Sequence, residues 1–156
     1  MKIRIANPQD EPAIVTMAVA FRDHLERVTP TDEQFQASVR TLLTSPDAEF
    51  FVAHDAQEQA LGYVLQRYRH SMWANGKEAT IEDLFVDPVF RKQGTGKALI
   101  EFALARAVSE GCTSVCLDTN EFNLASTRIY TALGFNAVSK RWNGRQVSFR
   151  KSIERS

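Results

Sequence analysis

Apolar and polar positions change rhythm repeatedly along the chain, and each change marks an element. Lys2 to Ile5 alternates with the two-residue period of a strand, then Asn7-Pro8 signals a helix start and Ala13, Ile14, Met17, Ala18 and Phe21 recur at helical spacing. Thr31-Asp32-Glu33 opens a second amphipathic stretch through Phe35, Val39, Leu42 and Leu43, stopped by Ser45-Pro46. Glu49–His54 and Leu61–Tyr68 are β-rich runs flanking the polar Asp55–Gln59, which predicts an antiparallel hairpin. His70–Lys77 reads as a polar link with Asn75-Gly76 at its turn, and Ala79–Val86 as a strand broken by Asp87-Pro88.

From Thr95 the period is helical again (Ala98, Leu99, Phe102, Ala103, Arg106, Ala107) and stops near Gly111, a favoured helix end. Ser114–Leu117 is a short strand. Asn123 N-caps a helix through Ile129 and Leu133 that ends at Gly134, and Val138–Lys140 with Gln146–Ile153 predicts a closing hairpin around Asn143-Gly144. The expected order is β-α-α-β-β-β-α-β-α-β-β: an α/β (α+β) fold with a mixed, mostly antiparallel sheet flanked by about four helices. No linker divides the chain, so residues 1–156 are expected to form one domain.

Composition narrows the possible functions. At 156 residues with 44% apolar content, one core is expected. The 19 basic and 19 acidic residues cancel, so no overall field draws the protein to nucleic acid or an anionic membrane, and any anion site must be local. No apolar run is long enough to span a bilayer, and the acidic, proline-bearing start is no signal peptide. The chain therefore reads as soluble and cytoplasmic. Cys112 and Cys116 have no second pair and no zinc spacing, so no metal is expected and both read as small buried residues.

The informative stretch is Arg91-Lys92-Gln93-Gly94-Thr95-Gly96-Lys97, between a strand end and a helix start. Its glycines let backbone approach a ligand, the first helical amides point outward at the positive helix end, and three cations add charge. Glycine also serves such junctions for purely geometric reasons. Gly-x-Gly-x-x-Gly is not met, because position 99 is leucine, and the Gly-Lys-[Ser/Thr] ending of a triphosphate loop is absent. A nucleotide pyrophosphate other than NAD or ATP is the favoured ligand.

Val86-x-Pro88-x-x-Arg91-x-x-Gly94-x-Gly96, followed past the next helix and strand by Asn123-x-x-Ser126-x-x-x-Tyr130-x-x-x-Gly134-Phe135, resembles the GNAT family of N-acetyltransferases over nearly the whole chain in element order. The resemblance implies acetyl-CoA as donor, with the amides of Arg91, Lys92, Gln93, Gly94, Thr95, Gly96 and Lys97 around its pyrophosphate. It also implies a β-bulge in Leu84-Phe85-Val86 that splays the neighbouring strand, so that pantetheine pairs with exposed backbone. Asn123 would hydrogen-bond the pantetheine or a water, with Ser126 on the same face. Tyr130 would protonate the departing thiolate.

Acetyl transfer to an amine needs a neutral nitrogen, a stabilised oxyanion and a proton for the thiolate. Glu82 is the candidate base, directly or through water, and Glu82-Asp83 is similar to the diamine and polyamine branch of the family. The alternative is a strand carboxylate in a salt bridge. Asp83 points to the opposite face if the strand is regular, and a bulge would blur that parity. Tyr130 could instead be a core residue. Amides near Phe85 could hold the carbonyl oxygen.

His24, His54 and His70 read as surface or cleft residues. Phe21, Phe35, Phe50, Phe51 and Trp142 read as core, and Trp73 as a candidate wall of an acceptor pocket. The basic clusters Arg67–His70 and Arg141–Arg145 lack an aromatic stacking array and read as solvated hairpin ends. The expected activity is direct acetyl transfer in a ternary complex to a primary amine of a small molecule (polyamine or amino-acid-like) or of a peptide or protein. The alternative is a CoA-binding module without turnover. A homodimer is left open.

Overall fold

Alternating patterns at Lys2–Ile5 (β1), Ala48–His54 (β2), Ala60–Ser71 (β3), Gly76–Val86 (β4) and Ser114–Leu117 (β5) give one sheet in the order β1-β2-β3-β4-β5. The first four strands pair antiparallel, and β5 runs parallel to β4 because the helix Thr95–Ser109 (α3) carries the chain back between them. This computed structural model describes residues 1–155. Its contacts divide the chain into Met1–Leu117, which holds the sheet, and a unit from Asp118 onward, which holds the helix Leu124–Ala132 (α4).

Strand parity sorts the core into two layers. Phe50, Val52, Tyr63, Leu65 and Phe85 face Ile14 and Met17 of Glu11–His24 (α1) and Val39 of Asp32–Leu43 (α2). Intervening residues face α3: Phe51 meets Phe102 with ring centroids 5.2 Å apart, and the fully buried Gln66 donates to the Ala103 carbonyl at 3.1 Å. Thr31 caps α2 through a reciprocal capping box with Gln34, as the sequence suggests.

Several expectations are corrected. His70–Lys77 is no link: β3 and β4 pair out to Ser71↔Gly76, because ladder bonds hold exposed polar residues as readily as apolar ones. Trp73 therefore sits in the hairpin tip, 70% exposed, and is not among the residues that line the cleft beside Asp83. His54 is buried within β2. Cys112 and Cys116 are only half-buried, and burial raises both thiols, which disfavours a covalent route through either.

The closing hairpin forms no strands. Its turn is made, with Gly144 at φ 112° and Ser139 N–H donating to the Gly144 carbonyl, yet only the bridge Val138↔Arg145 follows. A two-stranded ribbon needs an apolar face to cover, and here Trp142, Val147 and Phe149 remain exposed, Phe149 at 95%. Trp142 is thus not core.

Gly62 fixes how closely β3 and β4 approach near the strand end. A Cβ there would lie 2.5 Å from the Phe85 carbonyl oxygen and 3.1 Å from the Val86 Cα, both backbone. Gly62→Ala is expected to destabilise by about 1–3 kcal/mol, the overpacking range, read as a lower midpoint in urea unfolding.

Candidate active site

The β3–β4 register steps once. Leu65 pairs with Asp83 but Gln66 pairs with Ile81, so Glu82 is the extra residue of a β-bulge. The bulge thus lies at Glu82 and not within Leu84-Phe85-Val86, which pair regularly with Val64, Tyr63 and Gly62. It also coincides with the end of β5, which pairs β4 only over Glu78–Ile81. Beyond Ile81 no strand among the described residues pairs with the β5-side edge of Asp83–Val86, so backbone groups there are open to a ligand, except the Val86 carbonyl, which accepts from Arg91.

Two carboxylates meet at this point. Asp83 shares the parity of Phe85, two residues on, and so faces α1, where its Oδ2 accepts from the Tyr63 hydroxyl at 3.1 Å; the bulge instead sends Ile81, paired with Gln66, to the other face. Burial raises the Asp83 pKa, its bond from Tyr63 opposes that, and the neighbouring Glu82 charge raises it further. Tyr63 is itself held well above its ordinary value by burial and by Asp83. Glu82 is exposed and stands 3.6 Å from Arg67, a loose surface pair of the kind worth about 0–1 kcal/mol.

Asp83 and Tyr63 line a cleft of about 180 Å³ together with Phe21 and Arg22 of α1, the α1–α2 loop, and Phe35 of α2. This cleft went unseen in the sequence. Tyr63 and Phe21 carry ordinary core patterns, and it is the pairing of Asp83 with Leu65, on the same face as Tyr63, that aims Asp83 at them.

The loop after β4 is built as its residues suggest. The Asp87 carboxylate accepts from Val89 N–H at 3.0 Å, Pro88–Phe90 forms one 3-10 turn, and the Arg91 Nε donates to the Val86 carbonyl at 3.0 Å. Arg91 therefore staples the loop as well as lending it charge. Lys92 and Gly94 both take left-handed dihedrals, φ 61° and 82°. Gly94 N-caps α3 with no side chain to occupy the amides of Thr95, Gly96 and Lys97, and a Cβ at Gly94 would meet nothing within 4 Å. The cradle is open where an anion would sit. Thr95 is buried, so it offers its amide, and Phe85 stacks on Phe21 at 5.3 Å, so it offers backbone alone.

In the unit from Asp118 onward, Asn123 caps α4: its side-chain oxygen accepts from Ser126 N–H at 3.4 Å. Tyr130 is buried, with the Phe135 ring edge-on at 5.9 Å. Burial raises its phenol, against the bond it shares with Ser126, so the hydroxyl keeps its proton at neutral pH.

The sequence model of the acetyltransferase (GNAT) family matches residues 16–135. The chain belongs to that family. It is 35% identical over 66 residues to the [ribosomal protein bS18]-alanine N-acetyltransferase of Escherichia coli K12, covering 42% of this chain and 45% of that protein. It is 31% identical over 137 residues to the mycothiol acetyltransferase of Thermobispora bispora, covering 86% of this chain and 46% of that one. The chain spans about half the length of these two relatives. The crystal structure of the aminoglycoside N-acetyltransferase AAC(6')-Iy in complex with CoA shares the fold, with a TM-score of 0.77 and 23% identity over 97% of this chain and 95% of that one. Among the described residues, no helix is long and apolar enough to cross a membrane.

Proposed function

We propose that this protein transfers the acetyl group of acetyl-CoA directly to a primary amine. The observation that carries the reading is the conjunction, on one strand and the loop after it, of an unpartnered edge at Asp83–Val86, an uncapped helix start at Gly94 and a raised carboxylate at Asp83. Acetyl-CoA supplies the activated acetyl thioester. The amides from Lys92 to Lys97 hold its pyrophosphate, and the edge of Leu84–Val86 holds its pantetheine arm and the carbonyl oxygen.

Asp83 takes the ammonium proton at its cleft-facing oxygen, with its other oxygen fixed by Tyr63. Glu82, exposed and adjacent, passes that proton to water. Tyr130 gives its phenolic proton to the leaving thiolate, assisted by Asn123 and Ser126 at the start of α4. A carboxylate shifted upward by burial is a better base near neutrality than an ordinary one.

Release of free thiol from acetyl-CoA, followed over a panel of primary amines, tests the reading. Amine-dependent release with one N-acetyl product per thiol is expected. CoA binding without amine-dependent release from any amine would make the protein a binding module.

Gly94→Val is expected to strain the left-handed cap by about 1–2 kcal/mol and to push a branched side chain into the cradle. Calorimetry should then show loss of acetyl-CoA binding by a folded variant.

A further inference from the structure

The acceptor cleft is electrically lopsided. Asp83 is the one carboxylate among its described lining residues, and its walls are largely apolar, with Ala18, Phe21, Leu25 and Phe35 among them. Two arginines border it. Arg22 is satisfied: its Nη1 donates to the Asp32 carboxylate at 2.7 Å and to the Pro30 carbonyl at 2.9 Å, and it pairs with Asp23 at 2.9 Å. Its guanidinium also lies 5.9 Å from the Phe35 ring centroid, so it serves to tie α1 to the start of α2.

Arg27 differs. It is exposed, and among the described residues no carboxylate pairs with it. Its backbone, by contrast, is fixed. The Arg27 N–H donates to the Arg22 carbonyl and the Glu26 N–H to the Asp23 carbonyl, with Glu26 left-handed at φ 56°, which is the Schellman pattern at the end of α1. The stapled loop fixes the backbone from which Arg27 lines a cleft that Asp83 also lines.

We infer that the acceptor is a small zwitterion, an α-amino acid with an apolar side chain, whose ammonium meets Asp83 and whose carboxylate meets Arg27. The inference rests on the acetyltransferase reading and names its substrate class. A ligand of this kind matches each surface in turn: negative end to Arg27, positive end to Asp83, hydrocarbon to the phenylalanine and leucine walls. A polyamine would bring a second cation against Arg27. The volume of about 180 Å³ falls below the roughly 300–1,000 Å³ of sites for drug-sized molecules and suits an amino acid better than a whole aminoglycoside.

The test compares L-leucine, L-methionine and L-phenylalanine with their primary amides, with 3-methylbutylamine and with spermidine as acceptors for the purified protein and acetyl-CoA. The free acids are expected to exceed the amides in kcat/KM by about 10- to 100-fold, the worth of one charge-assisted hydrogen bond. Arg27→Gln is expected to shrink that ratio to about threefold or less, and Arg27→Glu to invert it. Equal or better turnover of amides or spermidine by the wild type overturns the inference, as does an acid-to-amide ratio unchanged in Arg27→Gln.

If no amine is turned over, the acetyltransferase reading fails. Calorimetric titration of the CoA-saturated protein then decides the site separately. Binding of leucine but not leucinamide, lost in Arg27→Gln, supports the zwitterion site, and no binding of any of the three acids overturns it.

Discussion

Asp83→Asn is expected to lower kcat/KM by roughly 10²- to 10⁴-fold at neutral pH, the scale of general base work, while thermal stability stays level or rises. The activity loss follows from removing the one carboxylate among the described residues that line the cleft; part of it should return at high pH as free amine becomes available. The stability effect follows from the direction of the Asp83 shift. A carboxyl whose folded pKa lies above its unfolded value contributes stability below that unfolded value and loses it as pH rises through the folded one. Asparagine keeps an acceptor for the Tyr63 hydroxyl and carries no charge, so the variant's advantage in Tm should grow from acid to neutral pH. A pH series of melts beside the pH profile of kcat/KM reads both.

Glu82→Gln separates the two carboxylates in the same experiment. The Glu82 charge raises the Asp83 pKa, so its removal should move the acid limb of the wild-type profile to lower pH and leave the limb in place. Disappearance of the limb in Glu82→Gln, with Asp83→Asn active, would assign the base to Glu82.

Tyr130→Phe is expected to cut kcat by roughly 10- to 10⁴-fold with little change in acetyl-CoA affinity, because one hydroxyl is removed while the ring against Phe135 stays. The phenol is shifted up by burial, so the basic limb of the wild-type profile should lie above the ordinary tyrosine range near 10. Melting within a degree or two of wild type would show that the hydroxyl serves chemistry; wild-type kcat would return Tyr130 to the core.

What could be read from residues alone was whatever depends on local chemistry. Thr31, Asn123 and Gly94 cap helices by rules that involve only their neighbours, and the amphipathic periods of α1, α2 and α3 name their buried faces. The cradle was visible for the same reason: two glycines and three cations between a strand and a helix need no distant partner to be interpretable. The acceptor side was not. Asp83 becomes a cleft residue only through its register with Leu65, and Arg27 only through a helix end that brings Glu26 into a left-handed turn; both are pairings across sequence distance. The missing closing strands fail in the opposite sense. Asn143-Gly144 makes its turn, but a turn cannot supply the apolar cover that a ribbon needs.

The bulge at Glu82 is a single residue long, and this has a consequence at the level of the gene. Strike out that one codon and β3 would pair β4 in an unbroken sequence from Gly62↔Val86 to Ser71↔Gly76, with Ile81 and Asp83 still on the faces they now occupy. A three-nucleotide deletion would thus convert a kinked hairpin into a plain one without disturbing the core. Chains that tolerate such an edit would keep their shape, Asp83 and the Gly94 cradle, and lose only the kink and the Glu82 carboxylate, so the one codon isolates what the kink itself contributes to turnover.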